Sequence, residues 1–151
     1  MVALISACGF QLRGQYSLPE GMEKVFIQGE SSGLLLRHLR QLLQRSGVAT
    51  TGHLDKATAV ITIHDETISR SVLSVGNNAR VREYESRYDL KYSVRLKTGK
   101  VLIEKNIITQ RRDFSFNETD VLGKEREETA LQHDMQYQAA QTILRRLAYQ
   151  K

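Results

Sequence analysis

Cys8 is the only cysteine in the chain, and it closes the run Leu4-Ile5-Ser6-Ala7-Cys8-Gly9. A short apolar stretch ending in Ser-Ala before Cys-Gly is the pattern of a lipobox, where a signal peptide is cut ahead of a cysteine that then receives lipid. The competing reading is a free thiol near the start of the chain. A single cysteine excludes an intramolecular disulfide and a cysteine-based metal cluster. The four histidines, His38, His53, His64 and His133, are far apart and form no H-x-x-x-H pair, so no metal site is expected. His38 and His133 are expected on the polar faces of helices. No nucleophile elbow, phosphate-binding Gly-x-x-x-x-Gly-Lys or dinucleotide fingerprint occurs. Gly29-Glu30-Ser31-Ser32-Gly33 can offer backbone N–H groups to an anion, but a plain capped turn accounts for it. Glu83 and Glu85 alternate with arginines and read as surface charge rather than as a general acid and base. Neither an enzyme nor a cofactor is implied.

The remaining chemistry is cationic. Lys and Arg number 22 against 17 Asp and Glu, a net charge of +5. Such a balance suits an anionic partner: phosphate, nucleic acid, anionic lipid or lipopolysaccharide. Arg80 and Arg82 follow a Gly-Asn-Asn turn, Lys97 and Lys100 flank the next turn, Arg111 and Arg112 lie in the last strand segment, and Lys124 begins the last helix. Nucleic-acid platforms interleave cations with exposed aromatic rings. Here Tyr84, Tyr88 and Tyr92 have the opposite parity to Arg87, Lys91 and Arg95, so nucleic acid is not expected. Cations at a sheet tip can instead meet the phosphates of a lipid headgroup.

The elements that carry these residues follow from periodicity. A polar tether from Gly9 to Gly21, broken at Pro19, leads into a strand at 23–28. Ser31 and Ser32 are N-cap candidates for an amphipathic helix with Leu35, Leu39 and Leu42 on one stripe, closed by Gly47. Residues 48–56 read as a loop or short edge segment. A long strand spans 59–75; its apolar parity changes beyond Asp65, which requires a bulge or bend. The next strand, 83–97, alternates an apolar, aromatic face with a charged one. A Gly99 turn leads to a strand from Val101 to Ile108, running on toward Phe116. After a loop at 117–123, a long helix occupies 124–149. The expected fold is α+β: a two-layer sandwich of two amphipathic helices on a mixed, mostly antiparallel four-stranded sheet, in the order βαβββα.

These residues resemble a known family. Cys8-Gly9-Phe10-Gln11-Leu12-Arg13 is similar to the mature start of the lipopolysaccharide-assembly lipoprotein family LptE, also called RlpB. Met22-Glu23-Lys24-Val25, the leucine-rich helix ending at Gly47-Val48, Gly123-Lys124-Glu125 and the segment Ala140 to Leu147 resemble it too. The resemblance implies an outer-membrane lipoprotein on the periplasmic face, anchored through Cys8, with residues 1–7 left from a signal peptide, 8–22 as tether and 23–151 as a single domain. It also implies a plug and assembly partner for the LptD β-barrel that binds lipopolysaccharide on its way to the outer leaflet. Lys124 matches the family's lipopolysaccharide-binding lysine; Arg80 and Arg82 are candidates for its sheet-tip arginine. The alternative is a soluble periplasmic or cytosolic module, with Cys8 unmodified, that binds another anionic ligand or nucleic acid.

Overall fold

The computed structural model describes residues 16–76, 81–115 and 121–150. Cys8, Arg80 and the expected turn residues Asn77 and Asn78 lie outside the described residues, as does the side chain of Lys124. The elements are β1 (Lys24–Gly29), α1 (Gly33–Arg45), β2 (Ala49–Thr51), a single 3-10 turn (Leu54–Lys56), β3 (Ala59–Val75), β4 (Val81–Leu96), β5 (Val101–Ser115) and α2 (Val121–Ala148).

The sheet has five strands, in the order β2-β1-β3-β4-β5, where sequence periodicity gives four. The added strand is β2. Its three residues pair in parallel with β1, from Lys24↔Ala49 to Phe26↔Thr51. None of the three is buried, so no alternation marks them; the pairing with β1 alone makes them a strand. β1 also runs parallel to β3, and β3, β4 and β5 form the expected antiparallel meander.

Both helices contribute to one core. α1 starts where the Ser32 hydroxyl accepts the Leu35 N–H at 3.2 Å, and it buries Leu35, Leu39, Leu42 and Leu43. It ends in a Schellman motif. The Val48 N–H donates to the Leu43 carbonyl and the Gly47 N–H to the Gln44 carbonyl, both at 3.0 Å, with Gly47 at φ +78°. α2 has 28 residues, about 42 Å of helix. Its fully buried side chains, Met135, Ala139, Ala140, Ile143, Leu144 and Leu147, all fall in its C-terminal half. From the sheet come Ala59, Ile61, Ile63, Tyr88, Leu90, Tyr92 and Val94. Residues expected to finish the tether join the same core: Met22 is buried, and Tyr16 and Leu18 pack against it.

His38 is not on a polar face. Its ring meets Tyr137 edge-on at 5.2 Å between the helices, and neither ring nitrogen has a hydrogen-bond partner among the described residues. Burial, with Arg37 and His133 nearby, holds its pKa below the ordinary histidine value. His133 is exposed.

β1 leaves the sheet at Gly29, the partner of Ile63. Gly29 has φ +112°, and a Cβ there would lie 1.9 Å from the Ile63 carbonyl oxygen. Only glycine lets β1 turn off toward α1 while still paired with β3. Gly29→Ala should therefore cost about 2–4 kcal/mol, read as a lower urea midpoint. An unchanged midpoint would show that the backbone there relaxes freely.

Candidate functional site

The geometry of the site begins with one skipped residue. Ile63 pairs with Tyr92, the next pair is Asp65 with Lys91, and His64 has no partner in the register. This is the bulge that the parity change demands. Before it, Ala59, Ile61 and Ile63 face the helices. After it, Glu66, Ile68, Arg70 and Val72 do, opposite Leu90, Tyr88, Ser86 and Tyr84, because directly opposed antiparallel residues share a face. The displaced His64 ring lies 2.8 Å from the Ser93 hydroxyl.

The switch delivers a carboxylate to the helix side of the sheet. Glu66 Oε1 accepts from the Ser32 hydroxyl at 2.9 Å, the Tyr88 hydroxyl at 3.0 Å and Gln136 Nε2 at 2.9 Å. Its Oε2 accepts from the Ser31 hydroxyl at 2.9 Å and from the Ser32 backbone N–H. Tyr88 is fully buried and Gln136 is 4% exposed. Gln136 also donates to the Ser32 hydroxyl at 2.9 Å. One side chain thus joins β3, β4, the start of α1 and the middle of α2. Burial pushes the Glu66 pKa up, but the bonds from Ser32, Gln136 and Ser31 outweigh it and leave the carboxyl below its ordinary value. Burial and the neighbouring carboxylate push Tyr88 far up, so its hydroxyl stays protonated as a donor.

Past Glu66 the three strands β3, β4 and β5 continue without β1. Their two faces differ. On the helix side, Arg70 and Arg112 stand among Ile68, Val72, Tyr84 and Phe114, and among the described strand residues no carboxylate shares that face beyond Glu66. Arg70 pairs with Glu128 of α2 at 3.0 Å and lies 4.8 Å above the Tyr84 ring, which stacks on Phe114 at 5.7 Å. Arg112 donates to Gln138 at 2.7 Å and lies 3.6 Å from Asp134. The opposite face carries Glu83, Glu85, Asp89 and Asp113 with Arg87, Lys91 and Arg111. Ion pairs there include Asp65–Lys91 at 2.8 Å and Asp89–Arg87 at 2.7 Å. These exposed pairs add little stability; they make a wet, mixed-charge surface.

Arg82 is exposed on β4, at a second irregularity where the register passes from Glu83 to Val81 and skips it. Lys124 belongs to the first turn of α2, one turn ahead of Glu128, which binds Arg70. The fold thus brings the backbone of Lys124 and Arg82 to the same end of the ribbon. Arg80 and Cys8 lie outside the described residues. Sequence reasoning missed Glu66 and Arg70 at this end, and it counted Arg112 only as a cation of the last strand segment. Carrying the parity of Ile68 and Val72 two residues to either side of Ile68 would have placed Glu66 and Arg70 on the helix side. The register that sets Arg112 opposite Ser86 has no local signal. No group of three or more His, Cys, Asp or Glu side chains able to hold a metal occurs among the described residues.

A family model described as lipopolysaccharide-assembly, LptE, matches residues 22–147. The chain belongs to the LptE family. It is 25% identical over 147 residues to the LPS-assembly lipoprotein LptE of Photorhabdus laumondii, covering 97% of this chain and 80% of that one. To the LPS-assembly lipoprotein LptE of Yersinia enterocolitica it is 28% identical over 149 residues, covering 97% and 70%. Among solved structures, it is similar to lipoprotein B of Nitrosomonas europaea, with TM-score 0.74, 30% identity and coverage of 91% and 88%. It also resembles the rare lipoprotein B of Shewanella oneidensis, with TM-score 0.70, 27% identity and coverage of 83% and 93%. LptE members serve lipopolysaccharide assembly without catalysis, and this chain shares that non-enzymatic role. No helix among the described residues is long and apolar enough to cross a membrane.

Glu66→Ala leaves the Ser32 N–H and the Tyr88 hydroxyl without their acceptor and Gln136 with one acceptor instead of two, and it should cost about 3 kcal/mol. A depressed carboxyl stabilises above its ordinary value of 4.5, and that contribution is lost as pH falls through the folded-state value. Urea midpoints should therefore drop on acidification below about pH 4.5, and Glu66→Gln should flatten that drop. Identical pH profiles for the two proteins would remove Glu66 from the account.

Proposed function

We propose that this chain is held on the periplasmic face of the outer membrane by lipid on Cys8 and works as plug and assembly partner of an LptD β-barrel. In this reading it binds lipopolysaccharide at the ribbon end, through Lys124 and a sheet-tip arginine, Arg80 or Arg82. The observation that carries the reading is membership of the LptE family across the folded domain. Two features support it. The sheet covers one face with helices and leaves the other wet and mixed in charge, which suits the polar lumen of a barrel. The net charge of +5 suits a phosphorylated lipid. Residues 1–7 would then be the remainder of a signal peptide and 8–22 the lipidated lead into the domain. A single acyl chain holds a protein only marginally, whereas two or more anchor it stably.

Purification from native membranes tests the partnership. An outer-membrane β-barrel should travel with this chain through affinity purification; recovery of the chain alone, with an unlipidated N-terminus, would sink the plug reading. A second measurement tests the ligand. Lys124→Glu should weaken binding of purified lipopolysaccharide about tenfold, the equivalent of one charge-assisted contact, with an unchanged circular dichroism spectrum. Unaltered affinity would remove Lys124 from the site.

A further inference from the structure

The helices do not cover the whole apolar side of the sheet. α1 is tied to Glu66 through its N-cap and buries its leucines in the core on the β1 side of that point. Over the outer half of β3, α2 is the helix that makes a contact, through Glu128 and Arg70. β3 also loses its neighbour there, because its pairing with β1 ends at Ile63. Ile68 and Val72 flank Arg70 on the face that the helices cover elsewhere, and they remain 40% and 53% exposed. Leu73 and Val75, at the end of the same strand, are 50% and 61% exposed. The Arg70 side chain, between Ile68 and Val72, is itself half exposed.

An apolar strip and a half-exposed arginine lie side by side. A bare phosphate would leave the strip unexplained, and a neutral acyl chain would leave the exposed part of Arg70 unmatched. An amphiphile that joins an acyl chain to an anionic headgroup accounts for both. We propose that the outer half of β3 is an acyl-chain site: one chain of an anionic lipid lies across Ile68 and Val72, with its phosphate at Arg70. This rests on the lipopolysaccharide reading above and assigns the hydrophobic part of that ligand to a strip of its own.

Purified lipopolysaccharide and its fully deacylated, phosphorylated backbone are titrated against the full chain. The wild type should favour the acylated form. The double variant Ile68→Ser/Val72→Ser should lose about tenfold for that form, in keeping with two exposed aliphatic side chains that become covered, and keep its affinity for the deacylated one. A control, Leu54→Ser/Ile107→Ser, removes aliphatics at least as exposed elsewhere, at 54% and 53%, and should change neither. A double variant that binds acylated ligand like the wild type overturns the site, and so does a control that loses as much. Binding of neither form by the wild type overturns the lipopolysaccharide reading and the acyl site with it; equal binding of both forms overturns the acyl site alone. All four positions are exposed, and a photocrosslinker in place of Val72 gives a test without truncation. It should attach to the acyl chains, and attachment instead from Ile107 would overturn the assignment.

Discussion

The Glu66 carboxylate is the junction on which the arrangement depends. Five donors from β4, the two serines ahead of α1, and α2 converge on a side chain of β3. A carboxylate beside the first turn of a helix is favoured by the helix dipole and by the unpaired N–H groups there. Here it also sets the level at which α1 begins relative to the sheet. Gly29, the His64 bulge and Ser32 sit at that same level: β1 leaves, β3 changes parity and α1 starts. A polar cluster of this kind contributes mainly position, because an apolar core alone would tolerate a helix sliding along it.

The junction divides the molecule into two unlike halves. On one side the core is dry and dense, with Leu39, Tyr92, Ile143 and Leu144 all fully buried. On the other, three strands and the N-terminal half of α2 continue with aromatic stacking, arginine contacts and exposed aliphatic residues. The packed half supplies stability, so the ribbon half is free to carry ligand chemistry and can expose apolar surface that a self-sufficient fold would cover. Arg70 illustrates the consequence. It holds Glu128 and Tyr84 yet keeps half its side chain in solvent, so an incoming anion can share it.

Much of this was legible in the chain. Leu35, Leu39 and Leu42 recur at helical spacing, and all three are buried. Tyr88, Leu90, Tyr92 and Val94 alternate, and they form the helix-side face of β4. The parity break after Asp65 announced a bulge, and the register skips His64. Periodicity works in these places because each element buries one face, and burial is written residue by residue. It fails for Ala49–Thr51, which bury nothing, and for His38, whose polar ring does not reveal that Tyr137 covers it.

The amino-acid sequence by itself determined the element types, the bulge, the wet face and the cationic character of the chain, and it carried the family resemblance. Only the tertiary structure decided that β2 joins the sheet, that Glu66 collects donors from residues 22 to 70 positions away, and that Arg70 and Arg112 share one face. The reason is physical. Periodicity encodes which face of an element avoids water, whereas the meeting of Glu66 with Gln136, or of Arg70 with Glu128, depends on how whole elements are staggered, and no local pattern records that stagger.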